Sequence, residues 1–268
     1  MKEELQIIVC LKQVADPEGP PSAFEVDSEA KRVIPRGIPP VISPFDENAL
    51  EAALGIKDAH RSRVTVISMG DRLALPVLRK ALAAGADDLI MLQDESFAPE
   101  KMDSYSTACS LAAAIKKVGQ YDLIFTGRQA ADWNAGQVGL GIAEILGIPG
   151  ISLARKVTLE GEGVRVERVL PDGYEVIKVQ MPVLITASNE VGDLRYPKIR
   201  DLVEARKKPV TTWQARDIGI PPVPIGRQSR LVKLFAPQGG RQCNFIEGEN
   251  PAEAGANLAL KLREDKVI

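Results

Sequence analysis

Four short apolar runs, each of strand length and each followed by helical text, constrain the fold of this chain more than any other feature. Leu5 to Leu11 (LQIIVCL) is apolar without a break, as expected of a strand covered on both faces in a parallel sheet. Val64 to Ser68, Asp88 to Gln93 and Leu123 to Thr126 repeat the pattern. The first helix starts at Ser43-Pro44-Phe45-Asp46, with Ser43 as N-cap, Pro44 at the first helical position and Asp46 in a capping-box-like place. Ala49, Leu50, Ala53, Leu54 and Ile56 give it an apolar stripe. Leu73 to Ala84 is a second helix, ending before Gly85, and Asp103 or Ser104 caps a third that runs to Val118. A fourth spans about Val138 to Leu146 and stops at Gly147, with Pro149 beyond. A strand and a helix recurring about every 25 to 30 residues predict a doubly wound, mostly parallel α/β sheet.

The pattern changes after Ile151. Ile151 to Leu159, Val164 to Leu170 and Tyr174 to Val179 read as strands separated by the turn signals Glu160-Gly161-Glu162-Gly163 and Pro171-Asp172-Gly173, which predicts an antiparallel hairpin or meander. Pro182 then introduces an apolar strand, Val183 to Ala187. Nearer the N-terminus, the Pro- and Gly-rich Asp16 to Pro40 is a long loop holding a small hairpin of Phe24 to Val26 and Arg32 to Ile34; such loops are usually functional. From Asn189 the chain is polar and irregular, through Arg195-Tyr196-Pro197 into a short helix over about Ile199 to Lys207. After Pro209 no core-building pattern is expected for about 40 residues, until Glu253 to Arg263 looks helical. Leu231, Val232, Leu234 and Phe235 make this tail too apolar to be disordered, so it is expected to dock on another chain.

Composition removes several classes of function. A formal charge of −2 and 4% aromatic residues leave neither a broad basic surface nor base-stacking platforms, so nucleic acid is not an expected partner. No apolar run approaches the roughly 20 residues that span a bilayer, so no membrane insertion is expected. The opening MKEELQIIVCLKQV reads as neither a secretory signal nor a transit peptide, and the expected location is cytoplasmic. Cys10, Cys109 and Cys243 stand far apart, which points to free thiols rather than a zinc ribbon or a disulfide framework. The single histidine, His60, sits at a helix end and favours no triad or metal site. Asp87-Asp88, at a strand start, reads as solvated. No G-x-G-x-x-G, G-x-x-x-x-G-K-[ST] or G-x-S-x-G motif is present, so no catalytic side chain is assigned.

The chemistry is expected in Tyr121 to Gly139, YDLIFTGRQAADWNAGQVG. It is a strand, a glycine-bearing polar loop and a helix start, and ligands of open α/β sheets sit beyond strand carboxyl ends, where helix N-termini attract phosphate. Arg128 suits a phosphate, Gln129 and Gln137 offer amides, Asp132 could accept from a ribose hydroxyl, and Gly127 and Gly136 allow close backbone approach. Turn chemistry alone would also account for the glycines.

Several short motifs together resemble the β subunit of electron transfer flavoprotein, over nearly the whole chain. They are VCLKQV in the first strand, Ser43-Pro44-Phe45-Asp46, Ser68-Met69-Gly70, GRQAADWNAGQ, VERVLPDGYEVIKVQMPVLIT from Val166 to Thr186, ASNEVGDLRYPKI and ARKKP. Pro171 departs from the acid usual at its position. The resemblance implies a Rossmann-like adenine-nucleotide-binding α/β domain over residues 1–226, and an extended arm over 227–268 that docks on an α subunit carrying FAD. The cofactor pocket it implies uses Cys10, Ser43, Pro44, Phe45, Asp46 and Met69, together with the loop Gly127, Arg128, Gln129, Ala130, Ala131, Asp132, Trp133, Asn134, Ala135, Gly136, Gln137 and Val138. FAD is the expected occupant, because the small residues of Ala135-Gly136-Gln137-Val138-Gly139 resemble the electron-bifurcating type, for which NADH is the donor; AMP is the alternative. Trp133-Asn134 matches neither type.

The implied function is to carry electrons between dehydrogenases, of the acyl-CoA dehydrogenase type, and an acceptor. The contrasting possibility is a non-redox AMP-binding subunit that only positions the partner's flavin and docks dehydrogenases. Arg195 to Glu204 resembles the loop by which the family anchors dehydrogenases, with Arg195, Tyr196 and Ile199 as the expected contacts. Ile199 could instead pack inward as the first core residue of its helix.

Overall fold

A computed structural model describes residues 4–219, 226–236 and 243–268; Met1 to Glu3, part of the N-terminal segment assessed above as a possible leader, lie outside them. The chain falls into two compact units, Met1–Leu234 and Phe235–Ile268.

In the first unit, β1 (Leu5–Leu11) leads into β2 (Gln13–Ala15), the hairpin β3 (Phe24–Asp27) and β4 (Arg32–Pro35), β5 (Pro40–Ile42) and helix α1 (Pro44–Ala59). Then come β6 (Ser62–Gly70), α2 (Leu75–Ala84), β7 (Asp88–Gln93), α3 (Ser104–Val118), β8 (Leu123–Gly127) and α4 (Val138–Leu146). Strands β9 (Gly150–Glu160), β10 (Gly163–Leu170), β11 (Gly173–Gln180) and β12 (Val183–Ala187) follow, then α5 (Ile199–Glu204) and β13 (Val210–Trp213). The second unit contains α6 (Pro251–Glu264), whose N-cap Asn250 accepts from the Glu253 N–H at 3.0 Å. Its Leu258 and Leu260 are exposed.

Nine strands form one sheet in the order β11-β10-β9-β12-β8-β1-β6-β7-β13. From β9 through β12 to β13 every neighbour runs parallel, and β10 and β11 add antiparallel to β9, so the expected hairpin extends the central sheet instead of standing apart. Strand residues alternate between faces. Ile7 and Val9 face a core with Leu50 and Leu54 of α1 and Leu78 and Leu82 of α2. Ile8 and Cys10 face the other core, with Ala112 and Ile115 of α3 and Ile142 of α4. Helices on both faces explain the unbroken apolar text of β1: each side chain meets a helix, and full burial of a Leu or Ile stabilises by about 1.5–3 kcal/mol.

The structure departs from the sequence reading in a few places. Residues after Pro209 do build onto the core: β13 pairs with β7 from Val210 opposite Leu89 to Trp213 opposite Leu92, and a single 3-10 turn, Ala215–Ile218, buries Ala215 and Ile218. Helix α2 begins at Leu75, not Leu73, with Pro76 in its first turn, and α5 ends at Glu204, not Lys207. Asp87 and Asp88 are not merely solvated. Lys57 Nζ reaches the Asp87 carboxylate at 2.6 Å, the Val64 N–H donates to it at 2.8 Å, and Arg63 forks onto Asp88 at 2.6 and 2.8 Å.

Candidate functional site

Chain order fixes where a ligand site can lie. From β1 the chain winds outward through β6 and β7, then crosses back to place β8 on the other side of β1. The β1/β8 boundary is therefore the topological switch point, where the connections leave in opposite directions and open a crevice beyond the strand ends. Lys12 leaves the end of β1 there, and Gly127 and Arg128 leave the end of β8.

The first turn of α1 closes the base of this crevice. Asp46 Oδ2 accepts from the Lys12 N–H at 2.8 Å, and Asp46 Oδ1 accepts from the Gly127 N–H at 3.0 Å. One buried carboxylate thus ties the ends of two adjacent parallel strands together. This corrects the capping-box expectation for Asp46: no side chain caps α1, and the carboxylate serves strand ends 34 and 81 residues away. The Ser43 hydroxyl is likewise diverted. It accepts from the Ala131 N–H at 3.3 Å, while the Ser43 N–H donates to the Lys12 carbonyl at 2.8 Å. Burial pushes the Asp46 carboxyl up to about 7, against the opposing pull of the Lys12 and Gly127 N–H groups and the Lys12 charge. Burial, with the Asp46 charge behind it, pushes the Cys10 thiol up to about 12, so Cys10 is neutral and no nucleophile.

Gly127 is required by this closure. A Cβ there would lie 2.6 Å from Asp46 Oδ1 and from the Phe45 carbonyl carbon. Its close approach in this structure is to the start of α1. Gly136, at φ +65°, takes the left-handed turn that the expectation allowed.

The loop itself is internally braced. Lys12 Nζ pairs with both oxygens of Asp132 at 2.6 and 2.8 Å. Arg128 lies over the Phe45 ring, 4.6 Å from its centroid, and its buried Nε has no hydrogen-bond partner among the described residues. Gln129 Nε2 donates to Asn134 Oδ1 at 2.9 Å, and the Asn134 N–H returns to the Ala130 carbonyl at 2.8 Å. Asp132 through Gln137 are exposed, Trp133 to 57%. Gln137 precedes α4 without a side-chain cap, and Val138 begins that helix, half-buried against the second core. Met69 lies on the same carboxyl edge of the sheet, one strand beyond β1, beside the buried Ser68 hydroxyl, which also lacks a partner among the described residues.

The sequence reading left two site residues unassigned. Lys12 reaches the loop through Asp132, and the Gln13 side chain accepts from the Ala74 N–H at 2.6 Å and donates to the Arg72 carbonyl at 3.0 Å. Their place at the carboxyl end of β1 was the available signal.

Arg195, Tyr196 and Ile199 stand elsewhere, on the segment leading into α5. Tyr196 is 97% and Ile199 83% exposed, which excludes inward packing of Ile199. The Arg195 guanidinium is held by Glu51 and Asp58 of α1. Among the described residues, no helix is long and apolar enough to cross a membrane, and no group of three His, Cys, Asp or Glu could hold a metal ion.

Together these features define a doubly wound α/β protein with a braced loop at its switch point. The electron transfer flavoprotein domain matches residues 32–218. Electron transfer flavoprotein subunit beta of Thermoanaerobacterium thermosaccharolyticum is 41% identical over 98% of this chain and 100% of its own length. Caffeyl-CoA reductase-Etf complex subunit CarD of Acetobacterium woodii is 37% identical over the same shares, and protein FixA of Azorhizobium caulinodans is 33% identical over 95% of this chain and 93% of its own. The chain belongs to the electron transfer flavoprotein β-subunit family, whose business is electron transfer.

Proposed function

We propose that this chain pairs with an α subunit and holds an adenine nucleotide, FAD in preference to AMP, in the crevice between the ends of β1 and β8. In that heterodimer it carries electrons between a dehydrogenase of the acyl-CoA dehydrogenase type and an acceptor, with NADH as donor in an electron-bifurcating cycle. The observation that carries the reading is the unpaired polar capacity of the crevice. The buried Arg128 Nε has no partner among the described residues, α4 begins without a side-chain cap, and both adjoin an exposed polar loop. An uncapped helix start leaves first-turn N–H groups for an anion, and Arg adds a fixed positive charge.

The residues fit the nucleotide. Cys10, Ser43 to Asp46 and Met69 would form its floor, and Gly127 to Val138 would enclose it, with Trp133 offering an aromatic surface. When bound, a flavin supplies the capacity to accept and release electrons. The protein's own part is to fix the loop through Asp46, to hold Lys12 against Asp132 and to keep the Cys10 thiol protonated. FAD is preferred because the exposed Ala135 and Gly136 crowd the loop so little. Residues 227–268 serve as the arm that docks on the α subunit, and Tyr196 and Ile199 as the anchor for the dehydrogenase.

The test is to coexpress the chain with its α subunit, denature the pure complex and count FAD and AMP by chromatography. Two FAD and no AMP per heterodimer is the expected result. One of each would make the chain a scaffold for its partner's flavin.

A further inference from the structure

We propose that Arg195 is a positioning residue: with Glu51 and Asp58 it clamps the docking loop onto α1, so that Tyr196 and Ile199 stand ordered before a partner arrives. The inference rests on the docking role given above to that loop.

Residues 192–198 have neither helix nor strand of their own, yet they are pinned to α1 at two points. Asn48 Nδ2 donates to the Gly192 carbonyl at 2.7 Å. The Arg195 N–H donates to Glu51 Oε2 at 3.0 Å, and its Nε and Nη2 donate to the same carboxylate at 3.0 and 2.7 Å. Arg195 Nη1 meets Asp58 Oδ2 at 2.8 Å. Main chain and side chain of one residue are thus fixed by one helix face, in the forked geometry only arginine provides. Glu51 and Arg195 are mostly shielded, with 19% and 34% of their side chains exposed, so solvent competes less than at an open surface pair.

The clamp spends the guanidinium inward, which leaves it unavailable as an interface contact. What the loop presents outward is Tyr196 and Ile199, flanked by the exposed Lys198 and Arg200, while Lys207 farther along is paired with Glu204 at 3.0 Å. An apolar anchor in a basic rim fits a dehydrogenase surface with an apolar cleft and acidic edges. A loop ordered in advance loses less conformational freedom on binding, which favours affinity without adding a contact.

The experiment uses the complete heterodimer and compares wild type with Arg195→Ala, Arg195→Lys, Glu51→Gln, Ile199→Ala and the exchanged pair Glu51→Arg with Arg195→Glu. The readouts are KM and kcat for electron transfer with the dehydrogenase, nucleotide per heterodimer, and amide hydrogen exchange over 193–198. Arg195→Ala is expected to raise KM about five- to tenfold and to speed loop exchange about tenfold, with kcat and nucleotide content unchanged. Arg195→Lys and Glu51→Gln should fall between, and they carry the comparison if the alanine variant does not assemble. The exchanged pair should recover most of the loss. An unchanged KM in the Arg195 and Glu51 variants while Ile199→Ala raises it would overturn the clamp alone, as would a KM rise accompanied by nucleotide loss. If Ile199→Ala is also without effect, the docking reading falls and the clamp's role with it.

Discussion

Replacing Gly127 with alanine tests the closure of the switch point most directly. The added Cβ would stand 2.6 Å from Asp46 Oδ1, 2.6 Å from the Phe45 carbonyl carbon and 2.7 Å from its oxygen, distances that Cβ atoms do not tolerate. Two of these neighbours are backbone at the start of α1, so no rotamer change relieves the clash. Either β8 or α1 must move, and the bond from the Gly127 N–H to Asp46 lengthens first. Overpacking of this kind costs about 1–3 kcal/mol, and a hydrogen bond to a charged group contributes about 1.5–3 kcal/mol. Together they amount to about 2.5–6 kcal/mol, and at about 2–4 °C per kcal/mol for a chain of this size, Tm should fall by about 5–24 °C. Gly147→Ala is the control, because that residue takes the left-handed region at φ +69° with no atom within 4 Å of the built Cβ. It isolates backbone strain, about 1–2 kcal/mol, and should lower Tm by only a few degrees. Thermal unfolding of the heterodimer gives both values, and nucleotide content is measured on the same samples. If Gly127→Ala melts within 2 °C of wild type, by this scale a change of no more than about 1 kcal/mol, α1 does not close the crevice as described.

The remaining predictions concern charge. Burial raises the Asp46 carboxyl from 3.8 to about 7, so between those values the folded chain holds a proton that the unfolded chain has released. The stability this residue contributes is therefore present below the lower value and lost as pH rises through the upper one. Urea unfolding across that range should show a fall in wild type that Asp46→Asn abolishes, and equal slopes would show that Asp46 does not titrate there. Lys12→Ala breaks an exposed pair with Asp132 and should cost less than about 1 kcal/mol of stability, yet reduce bound nucleotide by at least half; undiminished nucleotide would remove the pair from the site. Raising salt from about 50 to 300 mM should increase the KM for the dehydrogenase severalfold, because the basic rim around Ile199 is screened, and a flat profile would exclude an acidic partner surface.

What could be read from the residues alone was what local pattern encodes. The runs Leu5–Leu11, Asp88–Gln93 and Val183–Ala187 and the helix Val138–Leu146 fall where their text places them, since burial on both faces leaves an uninterrupted apolar signature. β13 was illegible because VTTW is four residues at a sheet edge, half polar and preceded by proline, and its only support is pairing with β7 more than a hundred residues earlier. Asp46 misled for a similar reason: Ser43-Pro44-Phe45-Asp46 fits a local capping pattern, and nothing in those four residues announces the strand ends that claim the carboxylate. Arg195 entered the reading through the resemblance of Arg195 to Glu204 to a docking loop, and its ion pairs with α1 were not legible there. Its acidic partners lie 144 and 137 residues away, on a helix whose outer face reads as ordinary solvated charge.

α1 takes part in both of these arrangements. Its first turn carries Asp46, which ties the two strand ends, and farther along the same helix Glu51 and Asp58 grip the docking loop. A 16-residue helix is about 24 Å long and stiff along its axis. Electron tunnelling through protein weakens exponentially with separation, so a wandering gap between docked donor and crevice would blur the rate over a wide range. On the reading proposed above, with a flavin in the crevice and a dehydrogenase on residues 195–199, setting both positions from one rod would hold that gap constant from one encounter to the next.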